Sequence, residues 1–435
     1  MAHMNETVNS ERKARIIGEH KHHSQCRFCL SDKIETVIDF GNVPLAGGFF
    51  DKHSTEKNFK GEKRYPLRIA FCKKCYLLQA IDIVDSRILY KDYFYFSSAI
   101  GTLVNHFCAY AKELKAGFSN ADKKLVVEIG CNDGVFLKPL KKEGFKVVGI
   151  DLAKNVVEPL KKQGFDIVVD FFGEKSATKV LKRFGKADVI VSSNSFAHID
   201  DMHDVMRGVK TLLAEDGILI VEVHYLGTLI KEVQYDMMYH DHESYYSLLA
   251  LENFFKLFGM EVYDVKPISI HGGSMRFYVQ NSFTGKKRIS NNVLNLRNAE
   301  KKMGLRKLGT YKKFFSYITA TKKELIALLT KLKKQGKKIA GYGASGRATA
   351  IMSFCDIDNK LLDYMIDDAP AKVGAYTPGN HLKIFSSAIL DDPARKPDYC
   401  LIFAWAFINE IREKKMKYLN HGGKFIVPLP KVKII

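Results

Sequence analysis

No run of about 18 apolar residues interrupts this 435-residue sequence, and its longest candidates, such as 218–223, have the length of single buried strands. Neither a membrane span nor a membrane partner is expected. Residues 1–21 are polar and mixed in charge with no apolar core, unlike a secretory leader, which points to the cytoplasm. Disulfides are not expected in such a lysine-rich chain, although it has eight cysteines. Negative charge is also scarce, with 48 Asp and Glu against 68 Lys and Arg, a formal net charge of +20. Yet there is no Arg-rich arm and no aromatic-basic stripe, and the densest basic stretches, 301–313 and 322–338, read as charged faces of helices. Nucleic acid is therefore not expected as a partner, and the excess charge suits a small anion carrying phosphates.

What is present is enough apolar material, 46% of residues, to fill the two or three domains implied by the length. A first unit, residues 22–84, is small and loop-rich, with Cys26-x-x-Cys29 and Cys72-x-x-Cys75 as its strongest signal. Each pair presents two sulfurs on one tight turn, and two such turns converge on a tetrahedral thiolate site for a structural zinc ion. Four thiolates leave no open position, so this zinc is not expected to be catalytic.

A second unit, 85–285, reads as strand Leu125–Ile129, glycine loop 130–134, helix 135–143 and strand Lys146–Ile150 ending in Asp151. Apolar runs at 188–192 and 217–223 continue the alternation, which predicts a doubly wound parallel sheet with its ligand at the carboxyl ends of the strands. A basic helical segment, 291–335, opens the third unit, 286–435. There a strand at 338–341, a glycine loop, a helix and strands at 362–366, 399–404 and Lys424–Val427 predict a second Rossmann-like domain.

The loop Glu128-Ile129-Gly130-Cys131-Asn132-Asp133-Gly134 lacks the third glycine of a dinucleotide fingerprint, and no Lys-Ser/Thr follows as in a P-loop. With Asp151 placed to accept from a ribose diol, this favours an adenosine without a pyrophosphate, or else an ordinary strand-to-helix turn. The segment Tyr239-His240-Asp241-His242-Glu243-Ser244-Tyr245-Tyr246 concentrates histidines, carboxylates and phenols, fitting a general base and an enolate donor. A solvated loop or a histidine metal site would use the same residues. The turn His271-Gly272-Gly273-Ser274-Met275-Arg276 reads either as a phosphate cradle or as a hairpin, and the loop 341–347 has the same two readings.

Together these motifs resemble the sugar C-methyltransferase family, which methylates C3 of nucleotide-linked 4-keto-deoxysugars. The resemblance runs from Cys26 to the carboxyl end and rests on the two cysteine pairs together with segments 42–46, 64–67, 93–98, 128–134, 194–199, 239–242, 271–274, 341–347 and 367–379. It implies an amino-terminal zinc-binding domain, a central S-adenosyl-L-methionine domain and a carboxyl-terminal domain that helps hold a nucleotide-diphosphate 4-keto-sugar. In that frame His242 is the base, surrounded by Tyr239, His240, Asp241 and His198. Glu128, Gly130, Asn132, Asp133, Gly134, Asp151 and Asn194 face the methyl donor. Tyr93, Tyr95, His271, Ser274, Arg276, Arg347 and Lys372 face the sugar nucleotide. The family usually has Glu at position 241 and often Ser at position 131. The rival readings are an O- or N-methyltransferase of a nucleotide sugar and a non-catalytic nucleotide-sugar-binding protein. The oligomeric state is left open.

Overall fold

The computed structural model describes residues 14–89 and 96–435, arranged around four sheets. The central sheet has seven strands in the order Met260–Ile268, Ser274–Asn281, Leu213–His224, Ala187–Ser193, Leu125–Ile129, Lys146–Ile150, Asp166–Val168. The last five run parallel, Ser274–Asn281 pairs antiparallel with Leu213–His224, and Met260–Ile268 pairs antiparallel with Ser274–Asn281. Val126, Val127, Val189, Ile190 and Val191 are fully buried because helices cover both faces of the parallel part, so these strands read as continuous apolar runs. Strand order reverses between Leu125–Ile129 and Ala187–Ser193, which opens a crevice at their carboxyl ends.

The carboxyl-terminal sheet repeats this plan with strands Ile384–Ser386, Tyr364–Asp367, Ile339–Tyr342, Tyr399–Ile402 and Lys424–Val427, all parallel, followed by antiparallel Lys433–Ile434. It is a Rossmann-like mixed sheet. The basic segment that precedes it forms two helices, Asn291–Met303 and Leu308–Lys334. In the second, Tyr311, Phe314, Ile318, Thr321, Leu325, Leu329 and Leu332 make one buried stripe at three- and four-residue spacing, leaving the lysines outside. Among the described residues no helix is long and apolar enough to cross a membrane.

The amino-terminal unit contains an antiparallel sheet of Ile34–Pro44, Arg64–Cys72 and Leu78–Ala80, completed by Ser244–Tyr245 from the central unit. A three-stranded sheet of Ala14–Ile17, His20–His23 and Asp82–Val84 lies beside it. The units are not separately cored. Cys26, Phe28, Cys72, Cys75 and Leu77 belong to the same buried cluster as the central sheet. A second cluster joins Ile38 and Phe71 to Leu229, Met238, the stripe of Leu308–Lys334 and the carboxyl-terminal sheet.

Candidate active site

The four cysteines sit on two turns of the same design. Leu30 amide donates to Cys26 carbonyl and Tyr76 amide to Cys72 carbonyl, and Leu30 and Tyr76, each four residues after the first cysteine of its pair, both adopt positive φ. Cys26 Sγ lies 3.4 Å from Cys75 Sγ, Cys29 Sγ lies 3.5 Å from Cys72 Sγ, and all four sulfurs fall within 4.8 Å of one another. Sulfurs held 2.3 Å from one tetrahedral zinc ion are about 3.8 Å apart, so the donor set fits Zn²⁺ and closes its coordination sphere.

At the switch point, the loop after Leu125–Ile129 is stitched by short contacts. Asn132 amide donates to Asp151 Oδ2 at 2.9 Å and Ala153 amide to Asp151 Oδ1 at 2.8 Å. Ser97 amide donates to Asn132 Oδ1, while Ser98 amide and hydroxyl donate to Asp133 Oδ2. Burial raises the pKa of Asp151, and burial followed by the charges of Asp151 and Asp133 raises that of Glu128 well above the carboxylate range. Glu128 Oε2 and Asp133 Oδ1 are buried with no hydrogen-bond partner among the described residues. Two orphaned acceptors in this crevice fit a ligand that brings N–H or O–H donors and positive charge, as S-adenosylmethionine does with its ammonium, ribose hydroxyls and sulfonium. Gly130 has a role beyond ligand approach, because a Cβ there would collide with the Ser195 side chain, and one at Gly134 would collide with Leu160. Asn194, with φ of 60°, donates its amide to Glu222 carbonyl at 2.7 Å and closes the other side of the crevice.

The histidines gather opposite this loop. His242 Nδ1 lies 2.7 Å from Met237 carbonyl, which can only accept, so Nδ1 carries the proton and Nε2 keeps its lone pair. Tyr239 hydroxyl donates to that Nε2 at 3.1 Å, with ring centroids 4.2 Å apart. His198 Nδ1 donates to Asp241 carbonyl at 2.6 Å, and its ring lies 5.0 Å from that of His242. Burial, reinforced by His198, pushes the His242 pKa well below the ordinary imidazole value, and burial also lowers that of His198. Both are neutral near pH 7. Asp241 does not orient His242: its carbonyl, not its carboxyl, engages a histidine, and burial lifts the carboxyl to about 6. His240 points elsewhere, with Nε2 3.3 Å from Pro66 carbonyl and its ring edge-on to Tyr65.

The three units converge at Tyr239. A Cβ on Gly346 would meet both Ala46 and Tyr239, so glycine there lets the carboxyl-terminal loop approach them. Arg347 Nε donates to buried Asp236 Oδ2 at 2.7 Å, Trp405 Nε1 donates to the same oxygen at 2.8 Å, and Arg347 Nη2 has no partner among the described residues. Lys372 Nζ donates to Ala344 carbonyl at 2.6 Å and lies 3.3 Å from Asp367, so it fastens the glycine loop.

The turn 271–276 is a hairpin, and Arg276 is no phosphate anchor. Fully buried, Arg276 donates from Nε and Nη2 to Glu222 Oε2 at 2.9 and 2.7 Å and lies over the Tyr110 ring, so its charge is neutralised in the core. Ser274 hydroxyl donates to Ile270 carbonyl within the turn. His271, with φ of 55° and a pKa lowered by burial to about 4, is close enough to His242 to influence it. Tyr93 and Tyr95 lie outside the described residues.

Sequence reading missed His224, whose Nε2 donates to Gln234 Oε1 at 2.6 Å, the amide being oriented by Gln234 Nε2 donating to Gly272 carbonyl. Burial brings the His224 pKa down to about 3. A signal was available, since His224 directly follows the apolar run 217–223, where the strand-end rule places ligands. Asp236 offered none, because its partners are more than a hundred residues away in sequence.

Comparison with known proteins follows the same three units. The chain matches the family described as "Putative zinc binding domain" over residues 26–90, "Methyltransferase domain" over 104–265 and "C-methyltransferase C-terminal domain" over 269–430. It is 30% identical over 411 residues to C-methyltransferase NovU of Streptomyces niveus, covering 94% of this chain and 96% of that protein. A ubiquinone biosynthesis O-methyltransferase of Pelagibacter ubique is 27% identical over 106 residues, 23% of this chain and 44% of that protein. Among solved structures, the mitomycin 7-O-methyltransferase MmcR aligns at 16% identity over 40% of this chain and 53% of that one, with a TM-score of 0.32. Similarity to NovU across nearly the full length of both proteins places the chain in the C-methyltransferase family that joins zinc-binding, methyltransferase and C-methyltransferase carboxyl-terminal domains, and makes it an S-adenosylmethionine-dependent C-methyltransferase.

Proposed function

We propose that the enzyme methylates C3 of a nucleoside-diphosphate-linked 4-keto-6-deoxyhexose, with His242 as the base. The observation that carries this reading is the His242–Tyr239 pair: a neutral imidazole, anchored at Nδ1, with its Nε2 lone pair turned to a phenol where three domains meet. A C–H bond beside a ketone needs such a base, together with donors for the oxygen that becomes an enolate. In this reading His242 Nε2 takes the C3 proton once the acceptor displaces or shares the Tyr239 hydrogen bond, and Tyr239 turns its hydroxyl to the C4 oxygen. When bound, S-adenosylmethionine supplies an electrophilic methyl to the carbon so activated. Glu128, Asn132, Asp133, Asp151 and Asn194, on the frame set by Gly130 and Gly134, hold that donor. Arg347, fixed at Nε by Asp236, offers its unpaired Nη2 to an anionic group of the acceptor. The division of labour follows residues 22–84 for zinc, 85–285 for the methyl donor and 286–435 for the sugar nucleotide.

The test is mass spectrometry and NMR of reactions with a panel of 4-keto-sugar nucleotides. A product 14 mass units heavier with its new methyl on C3 is the expected result, since one hydrogen is replaced by CH₃. Both carbons flanking the ketone are acidified, so a methyl on C5 would relocate the reaction, and a methyl on a hydroxyl oxygen would reject the enolate reading altogether.

A further inference from the structure

The two zinc turns differ in what lies between their cysteines. In Cys72-Lys73-Lys74-Cys75 both intervening residues face solvent, and Lys73 reaches out to Glu35. In Cys26-Arg27-Phe28-Cys29 both are fully buried, with Phe28 stacked on Phe254 at a centroid distance of 3.9 Å. A buried guanidinium is costly unless its charge and its donors are answered. Arg27 Nη2 lies 3.4 Å from the Ala80 carbonyl and its Nε has no partner among the described residues, while the side chains that answer Arg27 lie on the two loops carrying His198 and His242. Its Nη1 donates to Ser244 Oγ at 2.8 Å, and its Nη2 lies 3.4 Å from both Glu243 Oε2 and Asp200 Oδ1. Its amide donates to Gln79 Oε1 at 2.9 Å, beside the strand pairing of Gln79 with Ser244.

The same two loops are tied to each other. Glu243 amide donates to Ala197 carbonyl at 2.7 Å, His198 Nδ1 to Asp241 carbonyl, and Tyr246 hydroxyl to Phe196 carbonyl at 2.7 Å. Asp200 is two residues beyond His198, and Glu243 and Ser244 are one and two beyond His242. A rigid planar fork is suited to such bridging, because it can hold several acceptors in fixed directions at once, which an ammonium cannot.

We propose that Arg27 is a positioning residue that locks the His198 and His242 loops in their catalytic arrangement, so that the zinc turn sets the geometry of the proton-transfer site as well as the fold of its own domain. The proposal rests on the reading of His242 as the base. Among the described residues Arg27 makes no hydrogen bond or ion pair with the methyl-donor crevice, whose wall nearest in sequence, Asn194, stands four residues before His198 and six before Asp200.

The test compares zinc-loaded wild type with Arg27→Met, Arg27→Lys and, as the matched change on the other turn, Lys73→Met. Zinc content, calorimetric affinity for the demethylated cofactor, and kcat and KM for the keto-sugar nucleotide are measured. In parallel, the rate at which diethyl pyrocarbonate modifies His198 and His242 is followed by peptide mass spectrometry, which needs no substrate. Arg27→Met should keep zinc and cofactor binding, expose the two histidines to faster modification, and lower kcat by about 10²-fold with KM changed much less, the scale on which a displaced catalytic group acts. Arg27→Lys should fall between it and wild type, and Lys73→Met should match wild type. If Arg27→Met does not fold because Asp200 and Glu243 lose the guanidinium that faces them, the triple variant Arg27→Met, Asp200→Asn, Glu243→Gln removes those charges without restoring the fork, and the same outcome is expected. A folded, zinc-loaded Arg27 variant with wild-type modification rates at both histidines would overturn the proposal. Faster modification in the variant, combined with a wild-type enzyme inert toward every keto-sugar nucleotide, would support the positioning role and instead reject the proposed substrate.

Discussion

His242 and Asp151 are both half-buried side chains at strand-end loops, but their tasks separate in the measurements that would reveal them. His242 holds its Nδ1 proton on Met237 carbonyl, so only Nε2 is free to accept. With the demethylated cofactor, a 4-keto-sugar nucleotide and deuterium oxide, wild type should wash deuterium into the methyl-acceptor carbon, and His242→Asn should lose that exchange and net turnover by about 10²–10⁴-fold. Exchange at the wild-type rate in the variant would move the role to Tyr239, whose hydroxyl already touches the same nitrogen. Asp151→Ala belongs to binding. Its carboxylate accepts from the Asn132 and Ala153 amides, yet a carboxylate has about four acceptor sites, which leaves room for a ribose diol. Calorimetry should show weaker binding of both the methyl donor and its demethylated product, since each carries that diol, and equal affinities would remove Asp151 from the site.

Among the elements, the two zinc turns are the clearest case of local sequence dictating local structure, and their removal has consequences beyond their own unit. Wild type is expected to hold about one zinc ion per chain. Cys72→Ser should lower both the zinc content and the melting temperature, because Cys72 and Cys75 share a buried cluster with the central sheet, while affinity for the methyl donor changes less. Zinc-free protein that melts like wild type would contradict this. The paired cysteines, the strands Leu125–Ile129 and Lys146–Ile150, and the glycine loop were legible because each is written within a few consecutive residues. Arg276 was misread for the complementary reason. Beside two glycines it looks like a phosphate ligand, and only the pairing of Ser274–Asn281 with Leu213–His224 brings Glu222 alongside to neutralise it. Asp236, which fastens Arg347 and Trp405, and Arg27, which fastens two loops over 170 residues away, take their meaning from contacts that no local pattern encodes.

For the molecule as a whole, the shared cores make the junctions between units sensitive to protonation, and His240 is a direct probe of one of them. It sits fully buried between the central unit and the amino-terminal strand Arg64–Cys72, donating to Pro66 carbonyl. Burial lowers its pKa to about 4, against an ordinary value of 6.5. The folded protein therefore keeps His240 neutral where the unfolded chain would protonate it. A depressed folded-state value means that the stabilisation is complete above pH 6.5 and is lost as pH falls toward 4, because the unfolded state then binds the extra proton. Two and a half pH units correspond to about 3 kcal/mol at the acid end. Gln can still donate to Pro66 but does not titrate. His240→Gln should thus be less stable than wild type at pH 7.5, and the difference should narrow by up to about 3 kcal/mol as the pH is lowered from 6.5 to 4. Unfolding of the two proteins at matched pH measures that gap directly. A gap that stayed constant across the range would mean that His240 is protonated as easily in the folded protein as in the unfolded chain, and that the junction between the first two units carries no penalty for acid.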